Sequence, residues 1–136
     1  MWIDRLKGAG VMTSVFIDAL PAQVEAAART GAAVCEIHTG PYAEAYHLQG
    51  RDAESAAVVR ELTKIRAAGE LVGQRGMRFN AGHALNYFNV QPVAALPGIR
   101  ELHIGHAIVS RALFVGLREA VAEMKRLIRE AAAATR

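Results

Sequence analysis

Residues 101–116 read ELHIGHAIVSRALFVG, and residues 80–90 read NAGHALNYFNV. Both place a Gly-His pair where an extended stretch gives way to a helix. In the first, the strand ELHIG (101–105) passes through His106 into a short helix, AIVSRALFVG, and then a longer one, LREAVAEMKRLIREAAAATR. In the second, MRFNAG (77–82) is the strand, and a short helix in NVQPVAALPG is stopped by Pro97 and Gly98.

The same unit repeats upstream. VMTSVFID (11–18) is rich in β-branched residues and reads as a strand, and Pro21 suits the first turn of the helix PAQVEAAART. Gly31 is positioned to cap that helix, and AAVCEIHT (32–39) is the next strand. GPYAEAYHLQG, with its two glycines and a proline, reads as a polar loop before a helix from about Asp52 to Gln74. Four strand–helix units in succession imply a parallel α/β sheet. No linker or composition shift divides the chain, so residues 1–136 are expected to form a single module.

Side chains alternate across a strand, which sorts these residues into two faces. Thr13, Val15, Ile17, Cys35, Ile37, Met77, Phe79, Leu102 and Ile104 share one, the face that helices would cover. Ser14, Asp18, Glu36, His38, Arg78, Asn80, Glu101 and His103 share the other. A sheet covered on one side only would leave this polar face wet. The lining of a closed (β/α)8 barrel would instead turn it toward a substrate, and parallel sheets are rarely left bare on one side. A complete barrel takes eight strands and ~250 residues. Four strands therefore read as half of a TIM-type barrel, with a short extra helix after the last strand.

Composition narrows the function. The net charge of +3 is spread out rather than massed, and several basic residues sit on the last helix, so no nucleic-acid partner is expected. No apolar run approaches the ~20 residues needed to span a bilayer, and the first ten residues carry charge without an apolar core, so a cytoplasmic location is expected. Cys35 is the sole cysteine and reads as a small core residue. The five histidines lack zinc-ligand spacing, so no metal is expected.

In such barrels the active site lies at the C-terminal ends of the strands, and phosphate often binds at the start of a short extra helix. Gly105 and His106 stand at that place, where free backbone N–H groups and the helix dipole favour an anion. His83 would stand beside them as a general acid or base. Gly-His pairs also serve as plain turn residues, and spacing alone does not decide between the two readings. Glu36, a carboxylate inside a strand, must be paired or functional. Arg78 on the next strand is its natural ion partner, so a salt bridge accounts for it as well as catalysis does. His38 and His103 read as hydrogen-bonded lining residues and His47 as exposed.

EIHTG, NAGH and IGHAI, in that order and spacing, resemble the pyridoxine 5′-phosphate synthase family over nearly the whole chain, from about Gly8 to Ile128. The resemblance is to the C-terminal half of the family's (β/α)8 barrel, with MWIDRLKGAG similar to the tail of the helix before its fifth strand. It implies a transferase that condenses 3-amino-2-oxopropyl phosphate with 1-deoxy-D-xylulose 5-phosphate to give pyridoxine 5′-phosphate, without metal or organic cofactor. By resemblance His83 is the proton donor and Glu36 stabilises the transition state. Ala84, through its backbone, with Gly105 and His106, holds the aminoketone phosphate. Ala84 stands where the family has Gly, and a negative φ there would preserve the backbone contact. His103 stands where the family has Asn, and Phe88 where it often has His.

The resemblance also implies that the family's histidine and glutamate bases belong to the other half of the barrel. Two functions follow. One is an enzyme represented by its C-terminal half, a fragment through truncation, a split gene or an incomplete gene model, inactive alone or dependent on a partner. The other is a non-catalytic half-barrel that binds phosphate or assembles. Either implies a homo-oligomer or a complementing N-terminal half, because the first and last strands would be open edges.

Overall fold

A computed structural model describes residues 2–134. Met1, Thr135 and Arg136 lie outside the described residues, and so does the expected end of the last helix at Arg136. The order is α1 (Trp2–Gly8), β1 (Ser14–Ile17), α2 (Pro21–Thr30), β2 (Val34–His38), α3 (Gly40–Leu48), α4 (Ala56–Gln74), β3 (Arg78–Gly82), α5 (Val90–Ala94), β4 (Ile99–His103), α6 (His106–Val115) and α7 (Leu117–Ala133). Among the described residues the four strands form one parallel sheet in the order β1-β2-β3-β4. This is the architecture of half a (β/α)8 barrel, with β1 and β4 each unpaired along one edge. No described helix is long and apolar enough to cross a membrane.

The period-two reading holds. Cys35, Ile37, Met77 and Phe79 lie in the core beneath the helices, and Val15, Ile17, Leu102 and Ile104 pack against it. Burial in this apolar layer pushes the Cys35 thiol up to about 11, so it stays protonated at neutral pH. Gly69 lets α4 settle on Phe79, since a Cβ there would fall 2.3 Å from the ring. A helix-interior glycine costs about 1 kcal/mol relative to alanine, and the buried ring offsets it.

Two expectations fail for identifiable reasons. GPYAEAYHLQG is not a loop, because residues 40–48 form α3 with Pro41 in its first turn. The helix is fixed by tertiary contacts. Tyr42 is fully buried and donates its hydroxyl to the Asn89 carbonyl at 2.8 Å, and Tyr46, one turn on, donates to that of Phe88 at 2.8 Å. Nor does Arg78 pair with Glu36. The register sets Arg78 beside Val34 and Glu36 beside Asn80, and the Arg78 guanidinium lies near the Met12 sulfur instead.

Apolar surface is left over at both ends of the sheet. Trp2, Met12 and Phe16 are exposed near β1, while Leu113 and Phe114 on α6 are 83% and 85% exposed.

Candidate functional site

The C-terminal ends of β2, β3 and β4 and the start of α6 enclose an open cleft of ≈ 710 Å³. Glu36, His83, Ala84, His103, Gly105 and His106 all line it. The five residues singled out from sequence as site candidates thus converge on one cleft, and His103 joins them. Phe88 lies away from it, exposed and covered by the Arg51 guanidinium 4.2 Å from its ring.

Glu36 finds its partner two strands away. Its Oε2 accepts from His103 Nδ1 at 2.6 Å, so Nδ1 carries the proton, a carboxylate being only an acceptor. Gly82 makes this reach possible. It sits between Glu36 and His103, and a Cβ there would fall 2.4 Å from Glu36 Oε1 and 2.9 Å from the His103 carbonyl. His103 Nε2 lies 3.4 Å from Glu101 Oε2, so the imidazole bridges two carboxylates. Burial opposes protonation of His103, but the bonds to Glu36 and Glu101 prevail and raise its pKa above 6.5. His38, also read from sequence as a lining residue, is not part of this cleft's lining and bonds Asp18 Oδ1 through Nδ1 at 3.0 Å.

The turn after β3 is under tension. His83 and Ala84 have φ of +78° and +60°, consecutive left-handed residues without glycine's freedom. The condition set for Ala84, a negative φ, is therefore not met. The family's glycine suits this conformation, whereas an L-residue there costs about 1–2 kcal/mol.

Five hydrogen bonds from two buried residues hold the turn against that cost. Asn89, buried to 1% exposure, accepts from the Asn86 N–H at 2.7 Å and donates to the Ala84 carbonyl at 3.2 Å. Thr39, fully buried, donates its N–H to the Gly82 carbonyl at 2.8 Å. Its hydroxyl is shared between the carbonyls of Gly82 (2.7 Å) and His83 (2.5 Å).

Sequence reasoning missed both Thr39 and Asn89. Thr39 follows His38 in EIHTG, and a hydroxyl at a strand's exit was the available signal. We expect Thr39→Val to destabilise the chain by about 1–3 kcal/mol, because the isostere leaves the His83 carbonyl without its donor. Urea unfolding would measure it, and an unchanged midpoint would mean the hydroxyl does not hold the turn.

Gly105 and His106 line the same cleft as this turn. Gly105 precedes α6, and a Cβ on it would meet nothing within 4 Å, so the space before it is open to a ligand. His106 is the first residue of that ten-residue helix and is exposed to the cleft. The backbone N–H groups of its first turn have no helical partners and present a positive dipole end. The cleft thus joins a helix start suited to an anion with His83 and with a carboxylate, Glu36, anchored by His103.

A family model described as "Pyridoxal phosphate biosynthesis protein PdxJ" matches residues 1–130. Among curated relatives, the pyridoxine 5′-phosphate synthase of Azoarcus sp. (strain BH72) is 76% identical over 131 residues, covering 96% of the chain and 53% of the relative. That of Dechloromonas aromatica (strain RCB) is 72% identical, covering 96% and 52%. That of Rhodopirellula baltica (strain DSM 10527 / NCIMB 13988 / SH1) is 52% identical, covering 93% and 48%. The chain spans about half the length of the curated relatives it matches.

Proposed function

The chain belongs to the PdxJ family of pyridoxal phosphate biosynthesis proteins, and from that premise we propose that it is the C-terminal half of a pyridoxine 5′-phosphate synthase. The observation that carries this reading is the convergence of Glu36, His83, Ala84, Gly105 and His106 on one cleft. The reaction joins 3-amino-2-oxopropyl phosphate to 1-deoxy-D-xylulose 5-phosphate. The amine attacks a ketone and the carbinolamine loses water; phosphate is then eliminated, and a carbon–carbon bond closes the ring with loss of a second water.

Each step moves a proton, and each calls for a group matched to it. The aminoketone phosphate sits against the start of α6, held by backbone N–H groups, by His106 and by the backbone at Ala84, whose positive φ is the conformation a glycine there would take freely. His83 then faces the oxygen that must leave as water and gives it a proton. Glu36, fixed by His103, offsets positive charge as it develops in the transition state. The proton acceptors come from the half of the barrel this chain does not span. In this reading no metal or organic cofactor takes part, and the protein works in the cytoplasm as a homo-oligomer or with a complementing N-terminal half.

The test is complementation. The chain is mixed with, or fused to, the first half of the Azoarcus sp. relative, and pyridoxine 5′-phosphate formation is followed by fluorescence from both phosphorylated substrates. We expect product from the completed barrel and none from the chain alone. A completed barrel that folds and makes no product overturns the reading.

The unpaired edges of β1 and β4 favour a second reading, a half-barrel that assembles without turnover. Phosphate binding and self-association with a catalytically silent completed barrel would support it.

A further inference from the structure

The ring of His83 has no hydrogen-bond partner among the described residues, although its backbone is pinned by Thr39. What aims the imidazole is ring packing. His38 meets it at 4.9 Å between centroids in a T-shaped contact, and Phe16 lies 6.3 Å away. His38 is itself set from three sides. Phe16 packs edge-on against it at 5.2 Å. Gly40 closes a second side, since a Cβ there would fall 2.4 Å from His38 Nε2. Asp18 Oδ1 takes the His38 Nδ1 proton at 3.0 Å.

Asp18 is held in turn by Gln23, whose side-chain oxygen accepts the Asp18 N–H at 2.9 Å and whose amide nitrogen lies 3.4 Å from Oδ2. The bond from His38, and then that from Gln23, keeps the Asp18 carboxyl below its ordinary range, so it remains an ionised acceptor.

We propose that Asp18 and His38 are positioning residues for His83, with Asp18 fixing the His38 tautomer and ring plane and His38 fixing the ring of His83. The proposal rests on the reading of His83 as the proton donor. An acid that must meet one oxygen of a bound intermediate needs its ring held, and a misplacement of ~1 Å costs about 10²-fold in rate. The strained turn gives His83 its place but leaves its side-chain rotation free. The Asp18–His38 pair supplies the remaining constraint.

Side-chain nitrogen spectra of the chain itself, at a pH where histidines are neutral, read the tautomers directly. The wild type should show His38 protonated on Nδ1. Asp18→Ala should switch it to the commoner Nε2 form and move the His83 ring resonances. Asp18→Asn retains an acceptor oxygen and should restore both. Asp18 is half-exposed, so neither variant threatens the core.

In the completed barrel Asp18→Ala should lower kcat by up to ~10²-fold with KM unchanged, and Asp18→Asn should recover most of it. His83 resonances that ignore Asp18→Ala, or an Asn variant no better than Ala in both measurements, would overturn the proposal. Should His83 prove not to be the proton donor, kcat would stay level while the tautomer switch remained, which separates that failure from this one.

Discussion

In a barrel completed with the first half of the Azoarcus sp. relative, His83→Gln is expected to lower kcat by about 10²–10⁴-fold and leave KM for the aminoketone phosphate little changed. Glutamine keeps a polar side chain of similar reach, so the cleft stays filled and wettable. It has no proton to give at neutral pH. Only the transition state needs that proton, which is why the loss should fall on kcat and kcat/KM together. The proposed anion seat at Gly105 and His106 lies at the exit of the other strand and is untouched. A fall below about tenfold would shift the donor's role to another histidine of the cleft, His103 or His106.

The sequence made the strand faces legible because period two needs only the identity of alternate residues. It made the two Gly-His turns legible because each sits where a strand pattern breaks. It did not reveal α3, whose Gly-Pro start imitates a loop and whose helix is fixed by Tyr42 and Tyr46 reaching the carbonyls of Asn89 and Phe88 more than forty residues away.

The partner of Glu36 escaped for a related reason. Arg78 is the nearest cation by strand counting, but pairing depends on register, and register across three strands is not written in any one of them. The missing Cβ of Gly82 decides it, opening a path from β2 over β3 to His103. The backbone at Ala84 was open in the sequence, because alanine disfavours the positive φ that glycine takes freely. The turn adopts it nonetheless, held by Thr39 and Asn89.

Glu36→Gln should therefore have two separable consequences. In the completed barrel kcat should fall by about 10²–10³-fold, the usual loss when a fixed electrostatic group facing the transition state is removed. In the chain alone, the amide oxygen can still accept from His103 Nδ1, so the contact survives without its charge. His103 then loses the first of the bonds that raise its pKa, and Glu101 at 3.4 Å is a weaker substitute.

The sign of the pH effect follows from that shift. A histidine whose folded pKa lies above its unfolded value of 6.5 adds stability that is complete below pH 6.5 and is lost as pH rises through the folded value. The wild-type melting temperature should accordingly decline across that window, by a modest amount because the His103 side chain is 43% exposed and screened by solvent. The Glu36→Gln curve should run flatter.

Superimposable melting curves would mean that the 2.6 Å contact carries no ion pairing in solution. Flattened curves with kcat within about tenfold of the parent would keep the pair and remove Glu36 from the chemistry. Both effects together would tie one carboxylate to two tasks, which the geometry allows because Gly82 leaves room at Oε1, which has no hydrogen-bond partner among the described residues, while Oε2 binds His103.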